Sequence, residues 1–333
     1  MEQKSSRRPA AVLAVLAACT LGAVLLSLCC GSQGYTVPQL LAALRCADPN
    51  DPVRRILLYI RLPRTAAGIL CGAGLAVAGA LLQGVLNNAM ASPNVIGVNA
   101  GAGFFALLAG VLLPPKAVSA AGFLGARFTA LLIYLLALRA GLARTTLVLA
   151  GLAVSGILTA GVNTLRLLFP EGVTGADGFL IGGLSGVGMS EVQSALPYLI
   201  AGLALAFFLA PEMNILALGE ETAASLGLSV GRTRLLAILS AALLAGSAVS
   251  MAGLIGFVGL LVPHIARRLV GSDHRMLFPA CALLGAAFLL VCDTAARTLF
   301  APYELPVGIL LNVIGGVFFL YLLLGRKRGR VYD

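Results

Sequence analysis

Uncharged apolar runs of roughly 18 residues or more, each long enough to cross the ~30 Å hydrocarbon core of a bilayer, recur along this sequence from end to end. The runs are continuous rather than alternating, so they read as helices and exclude a membrane β-barrel. Only 11% of the 333 residues are charged and 59% are hydrophobic, at a mean hydropathy of +1.00. A soluble domain of this length carries about a quarter charged residues. The expected fold class is an all-α polytopic membrane protein.

Spans are expected near 10–30, 57–86, 95–113, 117–139, 145–169, 192–211, 230–256, 276–299 and 306–325, with a shorter segment at 259–270. The formal charge of +10 has its largest clusters at the two ends, in Lys4, Arg7 and Arg8 and in Arg326, Lys327, Arg328 and Arg330. Basic residues beside the first and last spans mark cytoplasmic tails, 1–9 and 326–333, rather than a nucleic-acid partner. Two cytoplasmic termini need an even number of crossings, so 259–270 counts as a tenth, short membrane segment within a single transmembrane domain, 1–333. The basic start and the Cys29-Cys30 pair resemble a lipoprotein signal, but the run from Ala10 to Leu28 is longer than a usual signal core and reads as a first span. The seven cysteines are scattered and read as small hydrophobes.

The stretch from Arg61 to Ala102 combines a charged mouth, a close-packing face and a polar corner. Two arginines, Arg61 and Arg64, flank Pro63 and precede some twenty uncharged residues with small side chains at helical spacing, Gly68 with Gly72 and Ala80 with Gly84. Gly253, Gly256 and Gly259 form a similar ladder. Val95-Ile-Gly-Val and Leu254-Ile-Gly-Phe echo one another where segments break, which suggests an inverted repeat relating segments 2–5 to 7–10. The outer loop from Gly31 to Arg55 is polar, and the Gly-rich stretch 170–191 suits irregular backbone and tight helix contacts.

Between the sixth and seventh spans, segment 217–231 is too polar to cross and has an acidic, helix-prone start at Glu220 and Glu221, closed by Gly227. It reads either as an amphipathic linker on the membrane or as a helix whose Ala223, Ala224 and Leu226 enter a partner's groove. Arg61, Arg64 and Arg297 fall at the outer boundary, against the usual charge bias. Snorkelling to lipid head groups, an intrahelical pair of Arg297 with Asp293, and a basic rim for a partner's carboxylates all account for them. Two histidines without matching ligands give no metal site, and Gly227-x-x-x-Gly231-Arg-Thr lacks the spacing and lysine of a phosphate-binding loop. An ion-gradient transporter needs ionisable groups buried in mid-span, for which Arg127 and Asn163 are the nearest candidates.

Taken together, RLPR…GAGLAVAGALLQG…N-x-x-x-x-P-x-x-x-G (61–97), ALGEETAASLGL (217–228), GLIGFVGLLVPHIARRLVGSDHR (253–275) and DTAAR followed by ELPVGI (293–309) resemble the FecCD-type permease family. These are membrane subunits of ABC importers for iron–siderophores, haem and vitamin B12. The resemblance implies a type II ABC importer permease fold of ten spans in a bacterial cytoplasmic (inner) membrane, a homodimer with its pathway on the dimer axis, two separate ATPase subunits, an extracytoplasmic substrate-binding protein and no cofactor or enzymatic activity of its own. It implies that Arg61, Arg64 and Arg297 dock the binding protein. Glu220, Glu221, Thr222, Ala223, Ala224, Ser225, Leu226 and Gly227 would form the coupling helix seated in the ATPase, and Asn88, Met90, Thr145 and Thr146 the cytoplasmic gates. The sequence departs from the family where Asn-Pro-Leu reads Asn88-Ala89-Met90, where Val317 replaces a frequent Pro, and where Phe179 replaces a common Trp. Siderophore is the first expectation for cargo, ahead of haem and cobalamin.

Overall fold

The computed structural model of the chain describes residues 7–325 except 32, 46–47, 49, 94–96, 115–116, 140–143 and 174–175. The basic side chains of both tails, and the 95–96 portion of the internal echo, lie outside the described residues. All regular structure among the described residues is helical. The order is α1 (Arg7–Cys29), α2 (Val37–Arg45), α3 (Pro52–Ile56), a π turn (Leu57–Arg61), α4 (Leu62–Leu86), α5 (Val98–Leu112), α6 (Ala117–Arg139), α7 (Arg144–Leu168), α8 (Pro170–Val173), α9 (Asp177–Ile181), α10 (Met189–Phe208), α11 (Ala210–Leu216), α12 (Glu220–Ser225), α13 (Val230–Ala252), α14 (Val258–Val270), α15 (His274–Thr298) and α16 (Val307–Gly325).

Among the described residues, seven helical stretches are long and apolar enough to cross a membrane: Ala10–Cys29, Pro52–Leu86, Ala117–Arg139, Thr145–Leu168, Met189–Phe208, Val230–Ala252 and His274–Thr298. Val98–Leu112 and Val307–Tyr321 are shorter apolar helices. With 15 residues α5 reaches only about 22 Å, less than the span expected at 95–113. The second span, by contrast, starts earlier than expected. Pro52 at its first turn and the Asp51 carboxylate, which accepts from the Val53 amide at 2.8 Å, open the helix at the end of the polar loop, and α3, the π turn and α4 run on without a break. Within that loop α2 buries Leu40 and Ala43.

The bundle is built around α4, in which every residue from Cys71 to Gln83 is buried. Its neighbours are α13, α15, α14 and α10. Small residues set those distances: a Cβ on Gly72 would lie 2.3 Å from the Gly285 carbonyl oxygen, and one on Gly79 would lie 1.7 Å from that of Gly259. With no hydrophobic effect between helices in lipid, such backbone approach supplies the packing. α14 starts in the middle of the bundle, beside Leu75 and Gly79, so it fills one half only.

Contacts fix which ends lie together. The end of α1 meets Arg61 and Arg297, and the start of α16 meets Gly182 through the Gly308 amide. The first residue of α1 and the last of α16 therefore point to the opposite end, where α11 and α12 lie. Large apolar side chains are exposed on α7 (Leu149, Leu152, Ile157) and on α16 (Val313, Val317, Leu320), faces that need lipid or another subunit.

Candidate functional site

At one end of the bundle the three arginines singled out by sequence converge. They are buried rather than spread as an open rim: Arg61, Arg64 and Arg297 are only 4%, 6% and 3% exposed. The last carbonyls of a helix have no partner within it, and here the guanidinium groups serve those of α1. Arg297 donates to the Ser27 carbonyl at 2.6 Å, while Arg61 donates to the carbonyls of Cys29 at 2.9 Å, of Leu28 and of Gln33. Cations at a helix C-terminus also oppose its dipole. Tyr35 stacks beneath Arg61 with its ring centre 4.6 Å from Cζ. The π turn places Arg61 over α1.

Arg64 is held differently. It grips Asp293 in a fork, Nε to Oδ2 and Nη2 to Oδ1 both at 3.0 Å, and reaches Glu304 at 2.7 Å. The expected intrahelical pair of Asp293 with Arg297 is present at 3.8 Å, but Arg64 is the closer partner of that carboxylate. Ser27 shares a hydrogen bond of 2.9 Å with Thr65 and accepts from Arg297 at 3.1 Å, completing a polar knot among α1, α4 and α15. Glu304 is the part of this knot closest to solvent, its side chain 36% exposed. Sequence reading missed it, because it lies in the connection after α15 with no helical register to Arg64.

At the opposite end α12 forms where expected, with Gly219 before it and Gly227, at φ +85°, closing it. Ala223 is fully buried within the chain itself, where α12 packs on α11 and α13; Glu221, Ala224 and Leu226 are exposed. Glu220 pairs with Arg234, the largest fully buried side chain described, and so locks α12 onto α13. The polar start of α13 was the only sequence signal for that pair.

Two further ties radiate from this end. The Asn214 amide donates to Asp273 at 2.7 Å and its oxygen accepts from the His274 backbone at 2.9 Å, fastening α11 to the start of α15. The hydrogen bond from Asn214, joined by one from the Arg275 amide, holds the Asp273 carboxyl below its usual range. Arg267 of α14 donates to the Gln83 side chain near the end of α4. Beyond it, Asn87 in the left-handed conformation ends α4 and the Asn88 side chain accepts from the Met90 amide at 2.9 Å. Asn88 and Met90 are exposed there, and Thr145 and Thr146 open α7 at the same end, an exposed and a half-buried residue.

Among the described residues no Asp or Glu occupies the middle of a long span; Asp293 belongs to the arginine knot. Of the mid-span candidates, Asn163 is exposed, and Arg127 lies between the Phe123 and Tyr198 rings and meets no carboxylate among the described residues.

The same chain matches the FecCD transport family over residues 19–325. It is 41% identical over 271 residues to the Fe(3+)-citrate import system permease protein YfmE of Bacillus subtilis, covering 80% of this chain and 81% of that one. Its identity to the cobalamin import system permease protein BtuC of Halobacterium salinarum is 44% over 272 residues, 80% of this chain and 73% of that one. The iron(3+)-hydroxamate import system permease protein FhuB of B. subtilis is 38% identical over 337 residues, 98% of this chain and 87% of that one. A solved metal-chelate type ABC transporter in an inward-facing conformation superposes with a TM-score of 0.85 at 29% identity, over 94% of this chain and 99% of the other. The buried arginine knot, the short polar α12 and the half-length α14 are thus features of a multi-pass membrane chain that belongs to the FecCD transport family.

Proposed function

We propose that this chain is the permease subunit of an ATP-driven importer that carries an iron chelate across a bacterial cytoplasmic membrane. A siderophore is the first cargo, with haem and cobalamin as alternatives; Fe(3+)-citrate and iron(3+)-hydroxamate systems among its relatives support the iron chelate, and a cobalamin system supports the cobalt-containing alternative. In this reading ten segments cross or enter the membrane, with α14 as the short one, and α4–α7 and α13–α16 form an inverted repeat. The arginine knot lies outside, and α12 and both termini lie inside.

The observation that carries the reading is α12 itself: a short polar helix, rigidly tied to α13 by Glu220 and Arg234, that presents Leu226 62% exposed at the end of the bundle. An unpartnered leucine on a braced projection is a seat for another protein. Two such helices in a homodimer, joined through the exposed faces of α7 and α16, would each enter an ATPase subunit. ATPase closure would move α12 and with it α13, and the Asn214 and Gln83 ties would spread that movement to α15, α4 and α14. Asn88, Met90, Thr145 and Thr146 lie at the end where such movement opens or closes a gate. This is alternating access, with chelate passing along the dimer axis. Docking of the extracytoplasmic binding protein falls to the surface braced by Arg61, Arg64 and Arg297, whose three cations outnumber Asp293 and Glu304.

Leu226→Glu tests the reading. It is expected to lower ATP-dependent uptake roughly tenfold or more, the effect of a lost interface anchor, and to release the ATPase in pull-down while the permease melts as wild type. Normal uptake and ATPase retention would refute the coupling role.

A further inference from the structure

A cavity of about 760 Å³ opens between α6 and α10 toward the end that carries the arginine knot. Ser119, Phe123 and Arg127 descend one wall at intervals of four residues; Glu191, Ser194 and Tyr198 descend the other, and Ser250 of α13 lies behind. Positions three and four apart share a helix face, so each wall is a continuous stripe. No residue of α7 or α16 lines it.

Neither of the two charges in this notch has an ion-pair partner among the described residues. The Arg127 Cζ lies 3.8 Å from the Phe123 ring centre and 4.4 Å from that of Tyr198. Its Nε is shut off from solvent without a hydrogen-bond partner, and no carboxylate of the described residues lies within ion-pair reach. Stacking on Phe123, one turn toward the helix start, tips the guanidinium toward the mouth. Glu191 stands two turns above Tyr198, about 10 Å along α10. Its carboxylate accepts from Ser190 Oγ at 2.8 Å and likewise meets no basic side chain among the described residues. A cation within a membrane span is expensive unless something answers it. The notch therefore holds a cation at depth and an anion at the mouth, lined by hydroxyls and with room for a group between them.

We propose that this notch binds the head group of a zwitterionic aminophospholipid, its phosphate on Arg127 and the serine hydroxyls and its ammonium on Glu191. The order of charges matches a lipid in place, with phosphate nearer the acyl region and ammonium nearer water. The exposed surface below agrees: Leu124, Phe128 and Leu131 continue down α6 as an apolar stripe on which acyl chains lie. Naming the leaflet as the outer one rests on the orientation proposed above; the contact itself does not.

Native mass spectrometry of the purified full chain, offered equal amounts of phosphatidylethanolamine, phosphatidylcholine and phosphatidylglycerol, tests this without ATPase or cargo, so failure here leaves the transport reading untouched. Wild type is expected to retain phosphatidylethanolamine above the other two, because its ammonium has N–H donors for Glu191. Arg127→Gln is expected to reduce that retention roughly tenfold or more, the loss of a hydrogen bond to a charged group. Glu191→Gln is expected to abolish the preference over phosphatidylcholine. Leu124→Trp, which narrows the notch from an exposed position and leaves both charged residues in the chain, is expected to displace the lipid and carries the test where Arg127→Gln fails to fold. Retention unchanged in Arg127→Gln or Leu124→Trp, equal retention of all three lipids, preference for phosphatidylglycerol, or full competition by inorganic phosphate alone would each overturn the proposal.

Discussion

Replacing Asp293 with asparagine removes the one carboxylate among the described residues that is fully buried in the arginine knot. Asp293 is 1% exposed and accepts two hydrogen bonds of 3.0 Å from Arg64, with Arg297 3.8 Å away. Its loss leaves both guanidinium groups buried, with Glu304 alone to answer Arg64 from a half-exposed position. Breaking one side of a buried pair costs about 3–5 kcal/mol, and the remaining Glu304 contact places this case near the lower figure. That corresponds to a melting shift on the order of 5–10 °C. Cys71, Cys281 and Cys292 are buried, so the rise in labelling by a thiol-reactive dye above the background from exposed Cys19 reads unfolding. The double variant Arg64→Met with Asp293→Leu, which removes both charges, is expected to recover more than half of the loss. An Asp293→Asn protein that melts within about a degree of wild type, or a double variant no better than the sum of its parts, would refute the claim that this knot holds α1 to α4 and α15.

Gly79→Ala forces a methyl to within 1.7 Å of the Gly259 carbonyl oxygen, so α14 must move; a loss of about 1–3 kcal/mol or more is expected in the same melting assay. Asn214→Ala strips Asp273 and the His274 amide of a partner, and is expected to cost about 1–3 kcal/mol and to raise amide exchange at the start of α15. Ala223→Leu, at a fully buried position, is expected to lower the melting temperature, where a change at exposed Ala224 leaves it unaltered.

The helices were legible because their signal is long and local: apolar runs and small-residue spacings specify α4 and its neighbours within a few residues. The knot was only half legible. Arg61, Arg64 and Arg297 stand out as charges in apolar surroundings, yet two of them bond main-chain carbonyls of Leu28, Cys29 and Ser27, and a carbonyl leaves no mark in a sequence. The Asp293 partner of Arg297 was legible four residues away, whereas the closer pairing of Asp293 with Arg64 joins two distant helices. The pairing of Arg234 with Glu220 was hidden for a different reason: both lie in a polar stretch where charge is ordinary, and only the fold closes one onto the other. Ala223 shows the same limit, since a six-residue helix has too few turns for periodicity to separate its inner face from its outer one.

The central claim is ATP-driven import of an iron chelate. Its most direct test is uptake by whole cells with and without this gene, offered labelled ferric siderophores, haem and cobalamin separately, with a parallel arm depleted of ATP at a maintained proton gradient. The account predicts that loss of the gene abolishes uptake of one ferric chelate and that ATP depletion does the same. Uptake that survives ATP depletion and follows the proton gradient would contradict it.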